Sequence, residues 1–269
     1  MIGIAPPPPP LSITPAQRIA ELQRTVSASR LSCWLGCRLR FYFRHVARMT
    51  KPPTAAQHLG TVVHAVLHRW SLARWRGEPF TLETLKSWFD QRWAEQGGTI
   101  DWNGKEQEER GSSWNALQLY FGETPIGNDE RPEAVEVRVE ADLPGLPQLI
   151  GVIDLVRAGG VIVDFKNTGK SPSPNLALHQ HEVQLSCYAV LYRDATGHQE
   201  GGFELHHLVR TKTPKVVVTA FPPSTESQQR RLRRQIESYV SGLERSDFVP
   251  SPGFHCAACE YLNECRLWN

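Results

Sequence analysis

Residues 151–167, GVIDLVRAGGVIVDFKN, constrain the fold more than any other stretch. Two short apolar runs flank a Gly-rich turn, the mark of a β-hairpin. Yet the runs carry Asp154, Asp164 and Lys166. Residues two apart on a strand share a face, so Asp164 and Lys166 point one way and Phe165 the other. The direction of Asp154 depends on the turn. A loop centred on Gly159 sets Asp154 opposite Asp164, with Cβ atoms roughly 4.5–5.5 Å apart. A two-residue Gly159-Gly160 turn sets Asp154 opposite Phe165 and loses that face. The odd loop is expected. Two carboxylates so close repel, and a bridging divalent cation removes the repulsion. Hard oxygen ligands suit Mg²⁺ or Mn²⁺. Such an ion can ionise a water and stabilise charge on a phosphodiester. Lys166 beside it can hold the water or neutralise a developing oxyanion. One Asp-x-Lys alone is more often a pair of solvated charges, so its companions decide the reading.

The elements around the hairpin follow from periodicity. Thr14-Pro15 reads as an N-cap and a first-turn proline. Ser27 or Ser29 caps a second helix that runs to Pro52-Pro53, with Arg38, Arg40, Arg44 and Arg48 on a basic side. Residues 57–76, 81–96 and 106–121 continue the helical spacing. The period then changes. EAVEVRVEADL alternates apolar and polar residues as a strand does, and residues 149–166 supply two more. Residues 176–194 are helical, GFELHHLVRT and KVVVTAF pair around Thr213-Pro214, and residues 224–245 are helical again. The fold class is α/β, one core with a helical insertion. Hydrophobic residues make up 40% of the 269, enough for a real core.

Three companions strengthen the hairpin. Glu136, in AVEVRVE, offers a third acid on the preceding strand. His64 lies one turn after Gly60 in GTVVHAVLH. Gln184 and Tyr188, in QLSCY, stand four apart and share a helix face.

In chain order these pieces resemble the PD-(D/E)XK superfamily and, within it, the RecB-like nucleases. Gly60 and His64 match a G-x-x-x-H helix motif, which implies His64 as a further metal ligand beside the acids. GVID matches G-x-x-D with Asp154 as metal ligand. VDFK matches (D/E)-x-K with Asp164 as ligand and Lys166 as catalytic lysine. Gln184 and Tyr188 match Q-x-x-x-Y at the substrate side, and Glu136 falls where a helping acid often stands. The resemblance spans about residues 27–268. It implies a restriction-endonuclease-like core, a mixed central sheet flanked by helices, with a helical N-terminal insertion and a Cys-clustered C-terminus. Residues 1–13 are then a Pro-rich flexible tail and 14–269 a single nuclease domain. Within it, 55–125 is helical, 133–222 the catalytic sheet core, and 223–269 the last helix and the cysteine cluster.

Cys256, Cys259 and Cys265 follow a C-x2-C-x5-C spacing, three thiolates where a closed site wants four. Cys33 and Cys37 lie on the second helix. Family resemblance implies a [4Fe-4S] cluster completed by Cys37, with Cys33 in reserve. Zn²⁺ remains the alternative, since four thiolates suit both. Cys187 reads as packing.

The implied activity is metal-dependent hydrolysis of DNA, as an exonuclease on single strands or ends. In size and motif order the chain resembles the CRISPR-associated exonucleases, and general repair or phage-encoded nucleases of the same build, so adaptation or repair proteins are the expected partners. The alternative is a non-catalytic DNA-binding or scaffolding subunit. Arg38 and Arg44 are candidate phosphate contacts, as is the group at Arg230–Arg234, where a solvated helix face serves equally well.

Other signals are excluded. NTGKS at 167–171 lacks the leading glycine of a phosphate-binding loop, since Asp164 stands there. His206 and His207 are adjacent on a strand and point to opposite faces, so they are poor joint ligands. MIGIAPPPPPL has neither the basic nor the apolar segment of a secretion signal. No apolar run reaches about 18 residues, so no membrane contact is expected and a cytoplasmic setting fits. Net charge is +2, with basic residues gathered near 30–51 and 210–234.

Overall fold

The computed structural model describes residues 13–95, 100–127 and 129–268. The proline run of the expected tail lies outside these residues. Helix α1 (Pro15–Leu22) begins in a capping box, with Thr14 accepting from the Gln17 amide and the Gln17 side chain returning the bond. Strand β1 (Thr25–Val26) and helix α2 (Ala28–Gly36), capped by Ser27, come next.

The single helix expected between Ser27 and Pro52 is broken. Cys37 leaves helical geometry at φ −163°, ψ 115°, directly after Gly36, a poor helix former. The chain restarts as α3 (Arg38–Phe41) and closes in a π-helical turn over Tyr42–Val46. Cys37 therefore leaves the helix face it would have shared with Cys33.

Helices α4 (Ala55–Arg76), α5 (Leu82–Glu95) and α6 (Glu106–Glu123) match the sequence periods. Strands β2 (Ala134–Ala141), β3 (Gln148–Arg157) and β4 (Val161–Thr168), helix α7 (Pro174–Thr196), strands β5 (Gly202–Val209) and β6 (Lys215–Phe221), and helix α8 (Glu226–Glu244) follow. A short 3-10 turn (Phe254–Ala258) and α9 (Leu262–Arg266) carry the C-terminal cysteines. Among the described residues the strands form one sheet in the order β1-β3-β4-β5-β6, with β2 on the other edge of β3. β1–β3 and β4–β5 are parallel and the remaining pairs antiparallel, so the sheet is mixed. Buried side chains of α4, α5 and α6 cover one face. Those of α1, α2, α7 and α8 cover the other.

The hairpin register centres on Gly159. Leu155 pairs with Val163, Val156 with Ile162 and Arg157 with Val161. Gly159 and Gly160 take φ of +78° and +71°, conformations that favour glycine. Their amides both donate to Glu133 Oε1, at 2.9 and 3.2 Å, which pins the loop.

Helix α8 approaches α2 closely enough to need a glycine. A Cβ on Gly242 would lie 2.1 Å from Cζ2 of Trp34, a ring buried edge-on against Phe41 and Tyr239. Gly-to-Ala in a helix ordinarily stabilises by about 1 kcal/mol. Gly242→Ala should instead destabilise by about 1–2 kcal/mol, since overpacking a core costs about 1–3 kcal/mol. A lowered urea midpoint with unchanged slope is the expected reading; a raised midpoint would show that Trp34 yields freely.

Candidate active site

Strand β4 stays with β3 for only three residue pairs, then leaves it. β1 takes the same edge of β3 at Gln148 and Leu149. Between these contacts the sheet is forked. Asp154 is the first residue of β3 past the fork, and the register sets it opposite Asp164, as the odd loop requires. Its Oδ2 accepts from the Phe165 amide at 3.2 Å. A side chain thus takes a bond that the ladder would otherwise make, which satisfies the freed amide.

On the other edge of β3, pairing runs from Ala134↔Val156 to Ala141↔Leu149 but skips Glu136 and Asp154. Glu136 adopts φ +45°, uncommon for a residue with a side chain. Three acids therefore stand at matching register positions on β2, β3 and β4, with both flanking ladders interrupted at the middle one.

Helix α7 closes the site from one side. Gln184 Nε2 donates to Asp164 Oδ1 at 2.7 Å and to the Tyr188 hydroxyl at 2.8 Å, and its Oε1 accepts from Lys166 Nζ at 2.8 Å. The Tyr188 hydroxyl donates to Asp164 Oδ1 at 3.3 Å. Lys166 Nζ lies 2.7 Å from Asp164 Oδ2 as an ion pair. That contact lacks hydrogen-bond direction, and Oδ2 is buried without a hydrogen bond. Burial pushes the Asp164 carboxyl above its usual range; Lys166 opposes this and Asp154 adds to it.

Helix α4 closes the other side. His64 Nδ1 lies 3.4 Å from Asp154 Oδ2. Burial pulls the imidazole pKa down, but the hydrogen bond and charge of Asp154 outweigh it and the net shift is upward. One turn on, His68 Nδ1 contacts the Glu136 carboxylate. Sequence reading passed over His68, although its i+4 spacing from His64 puts both on one helix face. A cavity of about 510 Å³ opens between α4 and the strands, lined by Gly60, His64, His68, Glu136 and Asp154, with Arg92 of α5 at its rim. A Cβ on Gly60 would meet nothing within 4 Å. The fold does not need that glycine, so the room it leaves belongs to the cavity.

The chemistry of these groups fits a hard divalent cation. Asp154 and Asp164 present oxygens at facing positions, one of them a buried oxygen lacking a hydrogen bond, with Glu136 and His64 at the same cavity. Among the described residues, no three His, Cys, Asp or Glu side chains already stand as a ligand set.

Other candidates lie elsewhere. Arg38 pairs with Asp247 and sits 5.1 Å from the Trp34 ring centroid. Arg44 pairs with Glu260 at 3.1 Å. Neither lines the acid cavity, and their partners are more than two hundred residues away in sequence. Arg230 and Arg231 pair with Glu226 and Glu182. His206 and His207 do diverge. His206 contacts the Tyr120 hydroxyl at 2.7 Å and Glu204 at 2.9 Å, while His207 lies near His181. Cys37, Cys256, Cys259 and Cys265 line a cavity of about 40 Å³. Cys33 packs instead with the main core. Burial first, then the neighbouring Cys37, Cys259 and Cys256, raise the pKa of Cys265. Cys187 is buried, as packing requires. No described helix is long and apolar enough to cross a membrane.

A family model of the PD-(D/E)XK nuclease superfamily matches residues 25–266. No curated protein sequence matches significantly. Among solved structures, a protein from Eubacterium rectale provisionally described as an exonuclease is similar in fold. The TM-score is 0.64 and the identity 12%, covering 93% of this chain and 90% of that one. An alkaline exonuclease from Laribacter hongkongensis aligns with a TM-score of 0.35 at 13% identity, over 94% of this chain and 98% of its own.

Gln184 joins Asp164, Lys166 and Tyr188, so its removal should loosen all three. Gln184→Ala is expected to weaken Mn²⁺ binding by about 10–100-fold, the usual cost of losing an outer partner of a metal ligand. Titration calorimetry checks this; unchanged affinity would mean Asp164 holds its position unaided.

Proposed function

Because the chain belongs to the PD-(D/E)XK nuclease superfamily, we propose that it hydrolyses DNA phosphodiester bonds with Mg²⁺ or Mn²⁺ held by Asp154 and Asp164. The observation that carries this reading is the pair of acids at facing positions where β3 and β4 part, with Asp164 buried beside the Asp154 charge and Lys166 ion-paired to its Oδ2. When bound, the ion supplies a Lewis acid that ionises water and stabilises charge on the phosphate. Lys166, fixed by Asp164 and Gln184, presents its ammonium to the attacking water or to the oxygen gaining charge. His64 steadies the Asp154 carboxylate, and Glu136, braced by His68, offers a third carboxylate.

The finer reading is a RecB-like exonuclease working on single strands or DNA ends, in CRISPR adaptation or in repair. The fold likeness to the Eubacterium rectale protein is compatible with it. A second metal centre belongs to this reading. Cys37, Cys256, Cys259 and Cys265 would hold a [4Fe-4S] cluster, or Zn²⁺ in its place. Four cysteines around one small cavity favour this, and a bound metal would offset the repulsion that their thiolates would otherwise feel.

Labelled DNA incubated with Mn²⁺ or with EDTA tests the activity. The parent should release label only with metal, and Lys166→Ala should lose at least about 100-fold, the low end of what a removed charge stabiliser costs. Binding without cleavage would favour the scaffolding alternative. Anaerobic purification tests the second centre. Iron and visible absorption are expected, lost in Cys37→Ser and kept in Cys33→Ser. A colourless zinc protein would replace the cluster, and loss in Cys33→Ser alone would reassign the fourth ligand.

A further inference from the structure

The acid cavity does not end at His68. Ala65 and His68 of α4, with Arg92 of α5, also wall a second cavity of about 330 Å³. This neighbour adds Arg69, Leu72 and Trp88. Trp88 is half-buried and rests on the core beneath α4 and α5. The Arg69 guanidinium lies 5.9 Å from the Trp88 ring centroid. Arg69 is itself exposed and makes one long hydrogen bond, 3.4 Å to Gln91. Arg92 pairs with Glu95 at 2.6 Å, while its Nε is buried with no hydrogen-bond partner among the described residues. Glu95, the acid of this cavity, is thus matched, and Arg69 remains as the exposed charge.

An indole with an exposed guanidinium beside it has a definite use. Every nucleobase has a π face, so an aromatic platform takes any base, for about 1–3 kcal/mol each. Arginines alongside follow the phosphates. The two cavities share Ala65, His68 and Arg92, so the platform adjoins the cavity that holds Asp154 and Glu136. A base inside a duplex is already stacked on both sides and reaches such a platform only if unpaired.

We propose that the Trp88 cavity is a nucleobase subsite, receiving one unpaired base of the DNA strand whose backbone crosses Asp154 and Asp164. The inference rests on the nuclease reading and deepens it, since it selects single strands and frayed ends as substrate. Arg69 holds an adjoining phosphate.

The test uses the full chain and a fluorescent single-stranded oligonucleotide. Binding is read by anisotropy in EDTA and cleavage in Mn²⁺. Trp88→Ala should weaken binding about 10-fold and raise KM by a similar factor, near 1.4 kcal/mol, with kcat falling less. Trp88→Tyr keeps a stacking face and should restore most of the affinity. One abasic nucleotide is also walked along the strand. The parent should lose affinity at a particular position, and Trp88→Ala should be indifferent to it. Because Trp88 also packs on the core, Tm is measured for each variant. A folded Trp88→Tyr that stays weak, or a parent with no sensitive position, overturns the subsite. Equal capture of matched RNA overturns the commitment to DNA. A parent that binds the strand with the expected Trp88 dependence but never cuts overturns the nuclease reading instead, while a parent that cuts yet ignores Trp88 overturns the subsite alone. A parent that neither binds nor cuts overturns both.

Discussion

Two carboxylates held face to face across a splitting pair of strands are the constraint on which the rest of this structure depends. Like charges directly opposite destabilise a sheet, and here the ladder gives way at that point. β4 departs from β3 after Leu155↔Val163. Asp154 uses its own carboxylate to satisfy the Phe165 amide, and Asp164 turns into a network supplied by Gln184, Tyr188 and Lys166. The repulsion is contained by donors rather than by distance. Glu136 meets the same problem on the other edge by adopting a positive φ and pairing with His68.

Each face of the sheet contributes one helix to this centre. α7 brings Gln184 and Tyr188, which orient the buried acid and the lysine. α4 brings His64 and His68, which orient the two more exposed acids. Both helices are anchored by apolar cores on opposite faces, so the polar groups between them are held by packing that does not involve them. Rigid support of this kind is what a site built on strands and helices offers over one built on loops. The cysteine lobe is tied to the same body by long-range ion pairs from Arg38, Arg40 and Arg44 to Asp247 and Glu260.

Much of this was legible in the chain. The alternation of AVEVRVE, the Gly-rich turn and the N-cap with first-turn proline at Thr14-Pro15 are local signals, and the elements appeared where those signals stood. The glycine-centred loop followed from the need to keep both acids on one side. The break at Cys37 was not legible, because the surrounding residues keep a helical pattern and only Gly36 weakens it. The acidic partners of Arg38 and Arg44 were not legible for a different reason. A basic helix face looks free until its acidic partners, more than two hundred residues later, are in place.

The sequence by itself determined most of the element types and the hairpin loop, because these depend on period-2 and 3.6 spacing and on turn chemistry, while Gln184 and Tyr188 were singled out only through the family resemblance. Tertiary structure decided which arginines make internal pairs, that Cys37 lines one cavity with the C-terminal three cysteines, and that His68 and Arg92 line the acid cavity with Trp88 in the neighbouring one. Those outcomes depend on contacts between segments far apart in the chain, which no local pattern encodes.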